Sequence, residues 1–223
     1  MAAIAERLTL VRERIAAACR RAGRSPEDVT LVGVSKGFPA AAIEEALAAG
    51  LREVGENRVQ EAAAKIQALA AKGLMPRWHL IGHLQTNKAK TAADLFGIIH
   101  SVDTVRLAQE LSRRASEPVP ILLEVNVGQE ATKFGFDTTE VASALSAITT
   151  LPNLDVRGLM TVAPETDDPD TLRPLFQRLA GLREELDLRE LSMGMTGDFE
   201  VAIEEGATMV RVGRAIFGPR SNP

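Results

Sequence analysis

The sequence predicts a single (β/α)8 barrel of the TIM type, spanning residues 1–223, with an extra helix at its N-terminus. Three observations carry that prediction. Eight short apolar segments recur along the 223 residues, each separated from the next by a stretch of helical periodicity. The segments show little apolar–polar alternation, as parallel strands covered on both faces do. The length also fits, since such a barrel takes roughly 250 residues. A doubly wound open sheet is the competing architecture. Against it, no G-x-G-x-x-G follows the first strand and no second domain stands out.

The elements follow in order. Ile4, Leu8, Val11 and Ile15 share one face of a first helix. Candidate strands are Thr30–Lys36, Arg52–Gly55, Arg77–Ile81, Ile98–Ser101, Val119–Val127, Val156–Thr161, Glu190–Met193 and Thr208–Val212. Asp137 with Glu140 reads as a capping box ahead of Val141, Leu145 and Ile148. Leu172, Leu175, Phe176, Leu179 and Leu186 stripe a longer helix, and Gly50, Gly73 and Gly206 stand where helices should stop. The segments "GLMPR", "SEPVP" and "APETDDPD" read as loops.

Composition removes several function classes. Lysine and arginine total 26 against 30 aspartate and glutamate, a net charge of −4, so no basic field draws the chain to nucleic acid or anionic lipid. Aromatic residues make up 4%, too few for a base-stacking platform. No run approaches the roughly 20 apolar residues of a membrane span, and the charged N-terminus lacks a signal peptide's apolar core. A single cysteine, Cys19, reads as a buried small residue and suits a reducing compartment. A cytoplasmic protein, more simply monomeric than obligately oligomeric, is expected.

A barrel places its chemistry at the C-terminal ends of its strands. Collecting those ends yields Lys36, "GENR" (55–58), "HLIGHLQTNK" (79–88), Asn126, Met160, "SMGMTGD" (192–198) and "RVGR" (211–214). Lys36 is one of six lysines, and small or apolar residues lead into it. Burial at the mouth lowers a lysine pKa from roughly 10.4 and frees the amine to add to an aldehyde as a Schiff base. Snorkelling into solvent is the plainer alternative. "SMGMTGD" and "VRVGRAIFG" are glycine-bearing turns after the seventh and eighth strands, where barrels of this kind commonly bind phosphate. Ser192, Thr196, Gly213 and Arg214 lie on them, with Asp198 as a helix N-cap. Arg211 interrupts the apolar run "TMVRVG" and must face either a ligand or a buried partner such as Glu124. His79 and His83 lack a third clustered ligand for zinc, and His100 reads as a satisfied core residue. Asn57 reads as the N-cap of the next helix, a role compatible with a ligand contact. Amine, phosphate cradle and inward arginine together match the needs of pyridoxal 5'-phosphate.

The stretches "LVGVSKGFP", "EVGENRVQE", "WHLIGHLQTNK", "VRGLMT" and "LSMGMTGDFEVAIEEGATMVRVGRAIFG" closely resemble the pyridoxal phosphate homeostasis (PROSC-like) family, from about Leu31 to Gly218. The resemblance implies a barrel like the N-terminal domain of alanine racemase that binds pyridoxal phosphate without established catalysis. It further implies a role in intracellular vitamin B6 and amino-acid homeostasis, with apo-enzymes that use the cofactor as recipients. Carried over by motif, Lys36 forms the Schiff base and Arg211 faces the pyridine nitrogen. Ser192, Thr196, Gly213 and Arg214 fall on the phosphate turns, and Asn57 and Met160 line the ring. Three positions depart from the family pattern: Thr196 replaces a common serine, Arg214 a small hydroxyl residue, and His83 a frequent proline.

An amino-acid racemase is the rival function. A fixed arginine cation opposes protonation of the ring nitrogen and weakens the ring as an electron sink. Racemases of the resembling fold manage with two bases, one a tyrosine from a second domain. This sequence has no tyrosine and runs only a few residues past its eighth strand. Lys133, in "GQEATKFGF", is the one other lysine expected near the mouth. It reads either as a solvent-facing loop residue or as an aid to recruiting the cofactor.

Overall fold

Eight parallel strands close into a barrel in sequence order, the first pairing with both the second and the eighth. The computed structural model describes residues 3–130 and 133–219. The strands are β1 Thr30–Val34, β2 Glu53–Glu56, β3 Arg77–Leu80, β4 Ile98–Val102, β5 Val119–Glu124, β6 Leu154–Met160, β7 Glu190–Ser192 and β8 Met209–Val212. Around them lie α1 Ile4–Arg21, α2 Ala40–Ala48, α3 Val59–Ala70, α4 Ala89–Leu95, α5 Val105–Arg114, α6 Val141–Ile148, α7 Arg173–Glu185, α8 Phe199–Glu204 and α9 Arg214–Phe217. The predicted (β/α)8 barrel with its extra N-terminal helix is therefore the observed fold.

Side chains divide by strand parity into two cores. Outward residues such as Val54, Ile99, Leu123 and Val210 pack with the helices in one continuous layer. Inward residues Ile98, Leu122, Met160 and Met209 form a separate cluster inside the barrel. Such a lumen is a packed core and not a pore. Helix α1 buries Ile4, Leu8, Val11, Ile15, Ala18 and Cys19 along the expected stripe. Gly50, Gly73 and Gly206 all adopt positive φ just past α2, α3 and α8, the left-handed stop that glycine accepts without strain.

Several boundaries differ from expectation for identifiable reasons. Strand β1 ends at Val34, because the chain turns at Lys36–Gly37 and the Phe38 N–H bonds back to the Ser35 carbonyl. Strand β5 stops at Glu124, because Asn126 bonds to Phe136 and folds the following loop back. The capping box at Asp137 and Glu140 does not form. Asp137 instead accepts the N–H and hydroxyl of Thr139 in a local turn, and α6 begins after Glu140. Among the described residues no helix is long and apolar enough to cross a membrane.

Candidate functional site

The mouth at the C-terminal ends of the strands is built first around the β1 turn. Lys36 is half-buried two residues beyond the strand, and Gly37 at φ +77° lets the chain reverse. A buried polar cluster clamps this turn from behind. Lys65 on α3 donates to the Ser35 carbonyl at 2.8 Å, to Glu56 at 2.5 Å and to Glu61 at 2.7 Å. The Ser35 hydroxyl donates to Glu56, and the Gly37 N–H donates to Glu61. Burial raises the Glu56 pKa, partly offset by Lys65 and Ser35. The backbone carrying Lys36 is thus fixed by two carboxylates sharing one ammonium.

Arg211 enters the same mouth from β8, whose register pairs it with Val32 of β1. Its Nη1 donates to Ser192 Oγ at 2.6 Å and its Nη2 to the Thr161 carbonyl at 2.7 Å. No ion pair with Glu124 forms. That carboxylate acts on Arg211 only through space, together with Asp198. Desolvation lowers the Arg211 pKa to about 10, so the group is a buried cation at neutral pH. Two bonds use two of the five guanidinium N–H donors, which leaves capacity for a further acceptor. Opposite it, burial and Asp103 raise Glu124 to about 7, with Arg211 pulling the other way.

The two late turns are tied together. The Gly213 N–H donates to Thr196 Oγ1 at 3.3 Å, and Asp198 caps its own turn by accepting the Met195 N–H. Gly213 packs closely on β1, since a Cβ there would come 3.2 Å from the Val34 carbonyl and press on it. Arg214 is exposed at the start of α9, where its backbone N–H has no intrahelical acceptor. Ser192 does not share this arrangement. Its hydroxyl is fully buried at the end of β7 and bonded to His100 and Arg211, not to either turn.

Asn57 is not a helix cap. Arg58 precedes α3, and Asn57 Oδ1 is buried without any partner. Gly82 explains its position, because any Cβ there would strike the Asn57 backbone at 2.5 Å. Met160 is fully buried in the lumen layer. Lys133 pairs with Glu130 and donates to the Val162 carbonyl, while His83 bonds to Asp103 and stacks on Phe134 at 3.9 Å. The amine-bearing turn, the buried cation, the orphaned amide oxygen and the paired glycine turns fit a phosphorylated aromatic aldehyde.

Sequence reasoning missed three features: the Ser35–Glu56–Lys65 clamp, the raised Glu124 carboxyl, and a chain of polar side chains from Glu53 to Arg211. The available signal was parity. Glu53, His79 and His100 occupy inward positions of adjacent strands, visible only once the register is known.

Comparison with known proteins agrees with this fold. The family model described as "Alanine racemase, N-terminal domain" matches residues 7–221. A pyridoxal phosphate homeostasis protein of Aquifex aeolicus is 46% identical over 96% of this chain and 97% of its own length. The protein of that name from Escherichia coli is 43% identical over 97% of each chain. PipY of Synechococcus elongatus, solved with pyridoxal phosphate bound, superposes with TM-score 0.83 at 39% identity, over 96% of this chain and all of that one. Alanine racemase of Clostridium difficile shares the fold at TM-score 0.72 and 14% identity, and this chain covers 57% of it.

Proposed function

The chain belongs to the alanine racemase N-terminal-domain family, and from that premise we propose that it holds pyridoxal 5'-phosphate on Lys36 for vitamin B6 and amino-acid homeostasis. The observation that carries this reading is the convergence of three groups in one mouth. They are the clamped Lys36 turn, Arg211 on the strand paired with β1, and the buried, unmatched Asn57 Oδ1. Lys36 makes the covalent link, Arg211 faces the ring nitrogen, and Asn57 and Met160 line the ring. Thr196, Gly213 and Arg214 hold the phosphate, and Ser192 holds the Arg211 guanidinium in place. The cofactor supplies an aldehyde carbon and an electron-accepting ring. A relative with the same overall structure and nearly the same length, PipY, carries that cofactor.

Holding is favoured over turnover. A cationic Arg211 against the ring nitrogen disfavours its protonation, and no tyrosine exists among the 223 residues to act as a racemase-type base. Lys133 is paired with Glu130, which argues against its serving as a substitute base. The whole chain serves as one cofactor-holding unit, a cytoplasmic monomer, with cofactor-dependent apo-enzymes as recipients.

The test is reduction with borohydride after incubation with pyridoxal phosphate. The wild-type chain should show the bound-cofactor absorbance band and a pyridoxyl adduct on the peptide containing Lys36, and Lys36→Ala should lose both. An adduct on another lysine, or a band that survives Lys36→Ala, overturns the assignment. Turnover of any L-amino acid to its D-form at enzyme-like rates overturns the holding role and leaves the binding site intact.

A further inference from the structure

A row of polar side chains crosses the barrel lumen from its far end to Arg211. Glu53 Oε2 lies 2.6 Å from His79 Nε2, and His79 Nδ1 lies 2.8 Å from His100 Nε2. His100 Nδ1 lies 2.8 Å from Ser192 Oγ, which accepts from Arg211 at 2.6 Å. Glu53 begins β2 at the N-terminal end of the barrel and is partly exposed, with 24% of its side chain accessible. His79, His100 and Ser192 are fully buried.

The two ends dictate the direction of every bond between them. A guanidinium only donates, so Ser192 Oγ accepts from Arg211 and its own proton is left to turn to His100 Nδ1, the direction that the Glu53 end requires. A neutral His100 with Nδ1 as acceptor carries its proton on Nε2 and donates it to His79 Nδ1. His79 in turn carries its proton on Nε2 and donates it to the Glu53 carboxylate. Starting from Glu53 yields the same answer. Each donor and acceptor along the row is used once, with a cation at one end and an anion at the other. His79 is faced by Glu53 and Arg77, and His100 by His79, Arg77 and Arg211; burial holds both imidazoles below their ordinary pKa, which favours the neutral form at pH 7 and above.

Packing alone does not require this row. The neighbouring lumen layer of Ile98, Leu122, Met160 and Met209 fills the barrel with apolar side chains, and similar residues could fill the next layer without desolvating five polar groups. Building on the reading that Arg211 meets the ring nitrogen of pyridoxal phosphate, we propose that Glu53, His79 and His100 are positioning residues. Through Ser192 they lock the direction of the hydrogen-bonded row and so fix the orientation of the Arg211 guanidinium presented to the cofactor.

The experiment uses the full chain in two states. In the ligand-free protein, 15N-histidine NMR should find both His79 and His100 as neutral Nε2–H tautomers from pH 7 to 9. Glu53→Ala removes the terminal acceptor. It should convert His100, which Glu53 does not touch, to a mixture of tautomers, whereas Glu53→Gln, which retains an accepting oxygen, should restore the single form. In the loaded protein, Glu53→Ala should weaken pyridoxal phosphate binding about three- to tenfold and shift the absorbance band, with Glu53→Gln nearer wild type. A protonated or Nδ1–H His100 in the wild type overturns the proposal. So does a Glu53→Ala chain, loaded at Lys36, with unchanged affinity and band. A wild type that takes no cofactor on Lys36 instead overturns the functional reading, and the ligand-free tautomers report that difference.

Discussion

Glu124 shows how one residue records the cost of a site prepared for a ligand. It ends β5 inside the mouth, 8% exposed, with Asp103 beside it and Arg211 too distant to pair with it. Its pKa rises to about 7, above the roughly 4.3 of an unfolded glutamate. A carboxyl whose folded pKa is raised stabilises the fold fully below its unfolded pKa. That contribution is lost as pH climbs through the folded value. The ligand-free chain should therefore lose stability between about pH 4.5 and 7 on account of this group. Glu124→Gln removes the ionisation and should leave the protein more stable at pH 8 by about 3–4 kcal/mol, with little difference at pH 4.5. Urea unfolding of both chains at the two pH values measures the gap, and equal stabilities at pH 8 would contradict the raised pKa. Residue-level legibility followed the same logic. Lys36 and Arg211 stood out because a charge inside an apolar run must have a purpose. Asn57 was misread as a cap because "GEN" before a helix has a local explanation that only the three-dimensional arrangement overrules.

Among the elements, the short β7–α8 turn does more to define the mouth than either element it joins. Gly194 sits at φ +90°, and a Cβ there would fall 2.6 Å from the Ala202 Cβ and 2.8 Å from the Phe199 Cα. Its carbonyl accepts the Arg211 N–H, so the same turn sets the height of β8. Gly194→Ala combines left-handed strain with a backbone clash and should destabilise the chain by about 1–3 kcal/mol. Gly197, three residues on in the same turn, has open space around its Cβ position and an ordinary φ. Gly197→Ala should stay within about 0.5 kcal/mol of wild type. Thermal unfolding of the pair tells whether close packing, and not glycine as such, shapes the turn. The elements themselves were read from sequence to within two residues at most boundaries, because covered parallel strands and striped helices differ sharply in period. The exception, β5, ends early where a backbone bond from the following loop intervenes. Apolar pattern is blind to such bonds. The Glu53–His79–His100 row was hidden for a related reason, since its members lie on adjacent strands and far apart in sequence.

At the scale of the whole molecule, a barrel made from one chain must join its first βα unit to its last, and α1 strengthens that seam. It packs against α2 on one side and against α8 and α9 on the other. Arg7 donates to the Ile216 carbonyl at 2.6 Å, and Arg24 to the Ile203 carbonyl at 2.8 Å. Arg14 pairs with Glu200 and lies over the Phe199 ring, and Arg21 pairs with Glu204. Two kinds of force therefore operate across the seam, and their sizes decide which dominates. The ion pairs are substantially solvated, with Arg14 43% and Arg21 54% exposed, and such pairs contribute roughly 0–1 kcal/mol each. Leu8, by contrast, is fully buried between α1 and the barrel, and truncating a buried leucine costs about 2–5 kcal/mol. Leu8→Ala should accordingly lower stability by about 3 kcal/mol, and Arg21→Ala by under about 1 kcal/mol. If the seam closes the barrel cooperatively, amide exchange in Leu8→Ala should accelerate in β1 and β8 together with the rest of the sheet. Faster exchange confined to α1, with β1 and β8 as protected as in wild type, would show the helix to be an accessory that the closed barrel does not need.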